Sequence, residues 1–145
     1  MRRLLATQAP RAVVLVRLMV GAVFLSEGIQ KLLFPGDLGV ARFAKIGFPT
    51  PEFLAPFVGT FEITCGLLVL LGLFTRLAVG PLITIMVVAI STTKVPILMT
   101  KGPWAMAHEA RTDWSMLLGS IFLLIVGAGA WSLDAVVSRR SAARD

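Results

Sequence analysis

Four ionisable side chains, Arg17, Glu27, Lys31 and Glu62, lie inside long apolar runs of the sequence. Two bases and two acids in such surroundings could lock helices together as ion pairs, pass protons, or offer hydrogen bonds to the polar head of a ligand such as a quinone. An ionised group at the centre of a bilayer costs at least about 2.5–3.5 kcal/mol on insertion scales, so each is expected to face protein and to find a partner. In the first run Arg17, Gly21, Phe24, Gly28 and Lys31 recur at helical spacing and draw one stripe down one face. In the second, Ala55, Gly59, Glu62 and Gly66 do the same. Glycines on both stripes let two backbones approach closely in lipid, so the stripes are expected to face each other. Glu27 precedes Lys31 by one helical turn in the favourable order. The expected pairs are therefore Glu27 with Lys31 and Glu62 with Arg17. An orphaned buried charge is the expensive state, so Arg17→Ala should partly restore the yield lost in Glu62→Ala. A polar pocket between the first two helices, ion pairs that merely fix helix register, and snorkelling of Arg17 and Lys31 to the surface all remain open at this stage.

The elements that must position these groups are membrane spans. The chain has 145 residues, 57% hydrophobic and 15% charged, against about 25% charged in a soluble domain. Its mean hydropathy is +0.86. Runs of the roughly 20 residues that cross a bilayer occur at about 12–34, 53–74, 77–99 and 114–133, which predicts an all-α integral membrane four-helix bundle forming a single domain over 1–145. The first run is longer than a leader's apolar core, contains Arg17 and Glu27, and lacks a small-x-small cleavage site, so it is expected to be a span. The third should bend at Pro96 with Lys94 at its edge, and Pro81 should fall near its first turn. Trp114 and Trp131 bracket the last run as interfacial anchors would.

The formal net charge of +6 belongs to segment edges and suits membrane orientation; no nucleic-acid partner is expected. With an even number of spans, Arg2, Arg3, Arg11, Arg76, Arg139, Arg140 and Arg144 share a side with Asp134 and Asp145. Arg42, Lys45, Lys94, Lys101 and Arg111 lie opposite, among Asp37, Glu52, Glu109 and Asp113. The positive-inside rule then places both termini in the cytoplasm of a multi-pass inner-membrane protein. Asp37 is expected to cap a short interfacial helix that runs through Ile46 and stops at Gly47, with Arg42 and Lys45 toward headgroups. A plain connector is the alternative. The second outer loop, about 100–113, carries Trp104, Met106 and His108. Asp134 is expected to cap the short C-terminal segment.

One cysteine and one histidine exclude an intrachain disulfide, a CxxC dithiol, and a metal or haem site built on several of either. Cys65 is expected to be inert in its apolar run, and the scattered methionines to be packing residues. His108 is either a proton donor or outer-face ligand, or a plain surface side chain.

The chain resembles the DoxX family over about Val13 to Val137. The resemblance rests on Arg17 with Gly21 and Gly28-Ile29-Gln30-Lys31, on Gly47-Phe48-Pro49, and on Gly59, Glu62 and Gly66 leading to Leu71-Gly72-Leu73-Phe74-Thr75-Arg76. Gly127-Ala128-Gly129-Ala130-Trp131-Ser132-Leu133-Asp134 completes it. The resemblance implies a four-helix membrane bundle in a DoxD-like group. That group is linked to the small membrane subunit of a thiosulfate:quinone oxidoreductase, to thiol and oxidative-stress complexes, to a methylamine-utilisation maturation protein, and to cargo receptors or chaperones. Relatives often carry His-Gly in the outer loop and an acid opening the last helix; here His108 precedes Glu109, and Asp113 takes the acidic place.

The resulting expectation is the membrane subunit of a quinone-linked, sulfur- or thiol-related redox complex. Arg17, Glu27, Lys31, Glu62, His108 and Asp113 would bind the ligand or relay protons. No intrinsic cofactor or metal is expected, only a bound quinone; a soluble or membrane redox partner would do the electron chemistry. A homo-oligomer is compatible with this reading. The rival is a non-enzymatic anchor, assembly factor or chaperone whose polar pairs only hold the helices. A small-solute transporter ranks third, because no internal repeat is visible.

Overall fold

A computed structural model describes residues 10–142, and within them the chain is helical with no strand. The elements are α1 (Val13–Leu33), α2 (Val40–Ile46), α3 (Pro51–Leu71), α4 (Thr75–Ala89), a π-helical turn (Ile90–Lys94), α5 (Val95–Lys101), α6 (Pro103–Glu109), α7 (Arg111–Val126) and α8 (Leu133–Ala142). Helix α4, the π turn and α5 run on as one rod over Thr75–Lys101. This rod, α1 and α3 are three helices long and apolar enough to cross a membrane.

Helix α7 has 16 residues, shorter than the anticipated 114–133. It stops because Gly127 and Gly129 take positive φ, at 88° and 80°, and turn the chain inward, burying Ala128. Trp131 therefore sits in the link to α8, largely exposed, with the Arg11 guanidinium 5.6 Å from its ring centroid.

Helices α1 and α3 pack along their glycine stripes. A Cβ added at Gly28 would lie 2.6 Å from the carbonyl oxygen of Gly59, and one at Gly21 would lie 2.8 Å from that of Gly66. Only glycine fits either contact, which is how small residues bring helices together where lipid offers no hydrophobic drive. Val20, Phe24, Val69, Val79, Leu82, Met116 and Leu123 fill the space among α1, α3, α4 and α7. Leu15, Leu33, Phe53, Leu77, Leu118 and Ile125 point outward and are well exposed. So much unburied apolar surface suits acyl chains and would be untenable in water.

The loop helices differ in detail from the sequence expectations. Helix α2 starts after Gly39 with no side-chain cap, so Asp37 does not cap it; it ends at Gly47 in the left-handed conformation, as the sequence suggested. The second outer loop folds as α6 with Trp104 exposed. Pro81 is the seventh residue of α4 rather than a first-turn residue, because that helix begins at Thr75. Just before Pro96 the rod widens into the π turn: Val95 N–H donates to Ile90 O, five residues back, one residue before the proline that has no N–H to offer.

The start of α1, the α3–α4 turn and the α7–α8 link meet at one end of the molecule, with α2 and α6 at the other. Arg2, Arg3, Arg144 and Asp145, which contribute to the charge bias, lie outside the described residues.

Candidate functional site

The membrane-embedded charges separate into two centres. At the end of the molecule where α1 begins, Arg17 is 3% exposed. Its Nε donates to Val69 O at 2.9 Å and its Nη2 to Leu70 O at 2.6 Å; Nη1 donates to Ala128 O at 3.2 Å and to Trp131 O. These carbonyls lie at the C-terminal end of α3 and in the Gly127–Trp131 link, and Val69 O also accepts from Gly72 N at 3.1 Å. A guanidinium with five fixed donors answers both the missing hydrogen bonds and the negative end of the α3 dipole. Gly72 follows at φ 65°, and a Cβ there would come within 2.6 Å of both Arg17 Cζ and Ser132 Cβ.

The same corner holds Asp134, 2% exposed. Its Oδ1 accepts from Phe74 N at 2.7 Å and its Oδ2 from Thr75 N at 3.1 Å, while Asp134 N donates to Gly72 O at 2.9 Å. Asp134 thus caps the start of α4 and steadies Phe74, a non-glycine residue at φ 49°. The C-terminal helix α8 takes its cap from Ser132, whose Oγ accepts from Ala135 N at 3.2 Å. The expected pairing of Arg17 with Glu62 and the expected capping of α8 by Asp134 are both corrected here. Arg17 and Asp134 together clamp the α3–α4 turn.

The second centre lies farther along α1, toward the opposite end. Lys31 Nζ is 2.8 Å from Glu62 Oε2 and 3.4 Å from Glu27 Oε2. Glu62 is 2% exposed, whereas the Glu27 side chain is 50% exposed, so the three groups lead from surface to interior. Beside them is a cavity of about 360 Å³, within the size range of small-molecule sites. Its polar lining includes Glu27, Lys31, Arg42, Glu62 and Asp113. Phe24, Phe43, Phe57, Ile85 and Met116 contribute to its largely apolar walls. Thr84, Thr92 and Thr93 also line it, each hydroxyl donating to a carbonyl of its own rod.

Of the six residues singled out from the sequence, Glu27, Lys31, Glu62 and Asp113 share this cavity. Asp113 is 3.4 Å from Lys94, a base presented by the π turn. Arg17 belongs to the other centre. His108 is not among the lining residues; its Nε2 faces Arg111 Nη1 at 2.7 Å on the exposed surface. Arg42 lines the cavity although the sequence pointed it toward headgroups; the turn from Pro35 to Gly39 brings α2 back against α3. Among the described residues, no three His, Cys, Asp or Glu side chains gather as a metal site.

A helical membrane protein with a buried lysine–glutamate pair beside an apolar cavity is the class that fold and site define. Within that class, the chain belongs to the DoxX family, whose model matches residues 12–95. It is 53% identical over 147 residues to the uncharacterized membrane protein Rv3486 of Mycobacterium tuberculosis, covering 97% of this chain and 90% of that one. It is 34% identical over 125 residues to a Bacillus subtilis protein with the name "Putative oxidoreductase CatD", covering 85% of this chain and 84% of the relative. No solved structure matches it significantly.

Proposed function

We propose that this protein is the membrane subunit of a redox complex and that the cavity beside Glu62 and Lys31 receives the head of a quinone. The observation that carries the reading is a buried ion pair on the wall of a mostly apolar, ligand-sized cavity. The fit is chemical: the two contacts from Lys31 Nζ to Glu27 are long, 3.4 Å to Oε2 and 3.5 Å to the backbone oxygen, so an N–H can turn to a better acceptor such as a ring carbonyl. A bound quinone would supply a two-electron, two-proton acceptor for a partner that handles the donor substrate. Within this chain Lys31 would donate to the head, Glu62 would hold Lys31 in place, and Glu27 would exchange protons with water at the surface. The name of the Bacillus relative is in keeping with such a role.

The rest of the reading follows from the architecture. Helix α7 crosses as a fourth span, its 16 residues reaching about 24 Å and the Gly127–Ser132 link completing the passage. Seven bases against two acids on the terminal side orient both termini toward the cytoplasm of the inner membrane. Mass spectrometry of a solvent extract from the purified protein should find a quinone, and adding quinone to stripped protein should raise its thermal stability. A clean extract with no stabilisation would overturn the proposal in favour of a non-enzymatic assembly or anchoring role.

A further inference from the structure

The cavity has walls on two kinds of surface. Lys31 and Phe24 of α1 and Glu62 of α3 lie on its inner side, and the exposed Glu27, Arg42 and Thr112 open it toward the α2 and α7 end. Phe57 of α3 and Thr84 and Val88 of α4 also line it, yet all three are exposed on the outside of the molecule, Phe57 at 47% and Val88 at 42%. A residue that borders a cavity and is open to the surroundings marks a mouth. Phe57 stands six residues from the start of α3, about 9 Å along the helix axis, and Glu62 stands about 17 Å along it. With a hydrocarbon core about 30 Å thick, both levels lie among acyl chains rather than headgroups. The aromatic strip of Phe53, Phe57 and Phe61, with neighbouring centroids 5.5 and 4.9 Å apart, runs down the same exposed face.

We infer that the cavity is entered sideways from the bilayer, between Phe57 of α3 and Thr84 and Val88 of α4, by a lipid-dissolved amphiphile whose polar head reaches Lys31 and Glu62 while its hydrocarbon tail stays among the acyl chains. This rests on the quinone reading and sharpens it: the ligand is a long-tailed quinone, and the tail is part of what is recognised. The occupant follows from depth, because what faces this mouth is hydrocarbon. A tail lying against the Phe53–Phe57–Phe61 strip keeps contacts of the kind it has in lipid, so only the head exchanges its surroundings for the cavity.

The test compares menadione, which has no tail, with a menaquinone carrying several isoprenyl units, both titrated into the full chain in nanodiscs. Val88→Trp and Phe57→Trp each place bulk at the mouth and leave Lys31 and Glu62 in place. Either substitution should weaken the tailed quinone at least about tenfold, 1.4 kcal/mol, and leave menadione unchanged. A diazirine on the first isoprenyl unit should label a peptide containing Phe57 or Val88. If both quinones lose affinity equally, if neither does, or if the label falls only on α2 or α6, the sideways entry is wrong while the quinone site stands. If wild-type protein binds neither quinone, the quinone reading itself fails, and this inference fails with it.

Discussion

Replacing Arg17 by leucine tests the corner where three distant segments meet. Four carbonyls lose the guanidinium at once, Val69 O, Leu70 O, Ala128 O and Trp131 O, of which Val69 O keeps its bond from Gly72 N. The bonds to Val69 and Ala128 are fully buried. A stranded buried carbonyl costs about 1–3 kcal/mol, so the loss at Ala128 O costs about that much. At about 2–4 °C per kcal/mol for a chain of this size class, the apparent Tm should fall by about 2–12 °C. Arg17→Lys should fall in between, because one ammonium cannot span carbonyls on both α3 and the Gly127–Trp131 link. The assay is thermal unfolding in mild detergent, combined with a double-mutant cycle against Glu62→Gln. Glycine contacts set the register of α1 against α3, Gly28 beside Gly59 and Gly21 beside Gly66, so one step up α1 is one step down α3. Arg17 is then level with about Leu70, and Glu62 with about Leu25, two turns or about 12 Å from Arg17. The two substitutions should add to within about 0.5 kcal/mol. A coupling above about 1 kcal/mol, or an Arg17→Leu protein as stable as wild type, would refute this account.

Lys31 and Glu62 should behave in the opposite way: removing Lys31 strands the buried Glu62 and costs about 3–5 kcal/mol, removing Glu62 costs less because Lys31 keeps Glu27, and Lys31→Met with Glu62→Leu regains much of the folded yield lost in Lys31→Met, measured by size-exclusion chromatography. Gly28→Leu should abolish the α1–α3 contact at Gly59 and leave little monodisperse protein, whereas the same change at Gly36, where a Cβ meets nothing within 4 Å, should be tolerated in the same chromatogram. Asp134→Ala removes the cap on Phe74 and Thr75 and should cost about 1–2 kcal/mol in thermal unfolding; equal stability would contradict the capping role.

Much of the arrangement was legible because spacing carries it. Two stripes of glycine and charge at helical period announced that α1 and α3 face each other, and Glu27 one turn before Lys31 announced their contact. Contacts whose partner is backbone are hidden from spacing, and so are the side-chain pairs Lys31–Glu62 and Lys94–Asp113. Arg17 was assigned to Glu62 because pairing by residue type looks for an acid, whereas this guanidinium is satisfied by carbonyls supplied by the end of a helix and a glycine turn. The glycine register could have excluded the pair, since it separates the two groups by more than a side chain's reach. Asp134 differs from expectation for a related reason: it stands in the first turn of α8, but its carboxylate serves α4 in another part of the chain, and Ser132 takes the local cap. The Lys94–Asp113 contact depends on the π turn, which no hydropathy period reveals. An extra residue in that turn rotates everything after it by about 100° relative to an unbroken α-helix.

The clamp around Arg17 also bears on how the chain is made. Its first span enters the membrane early, but two of the carbonyls it needs come 111 and 114 residues later. At about 5–20 residues per second, synthesis leaves that guanidinium waiting about 6–23 s for its last acceptors. Throughout that interval the nascent chain holds an incompletely solvated cation at the lipid boundary, so stalled or prematurely terminated products lacking residues 127–134 would be marked for quality control by a defect located in their opening helix.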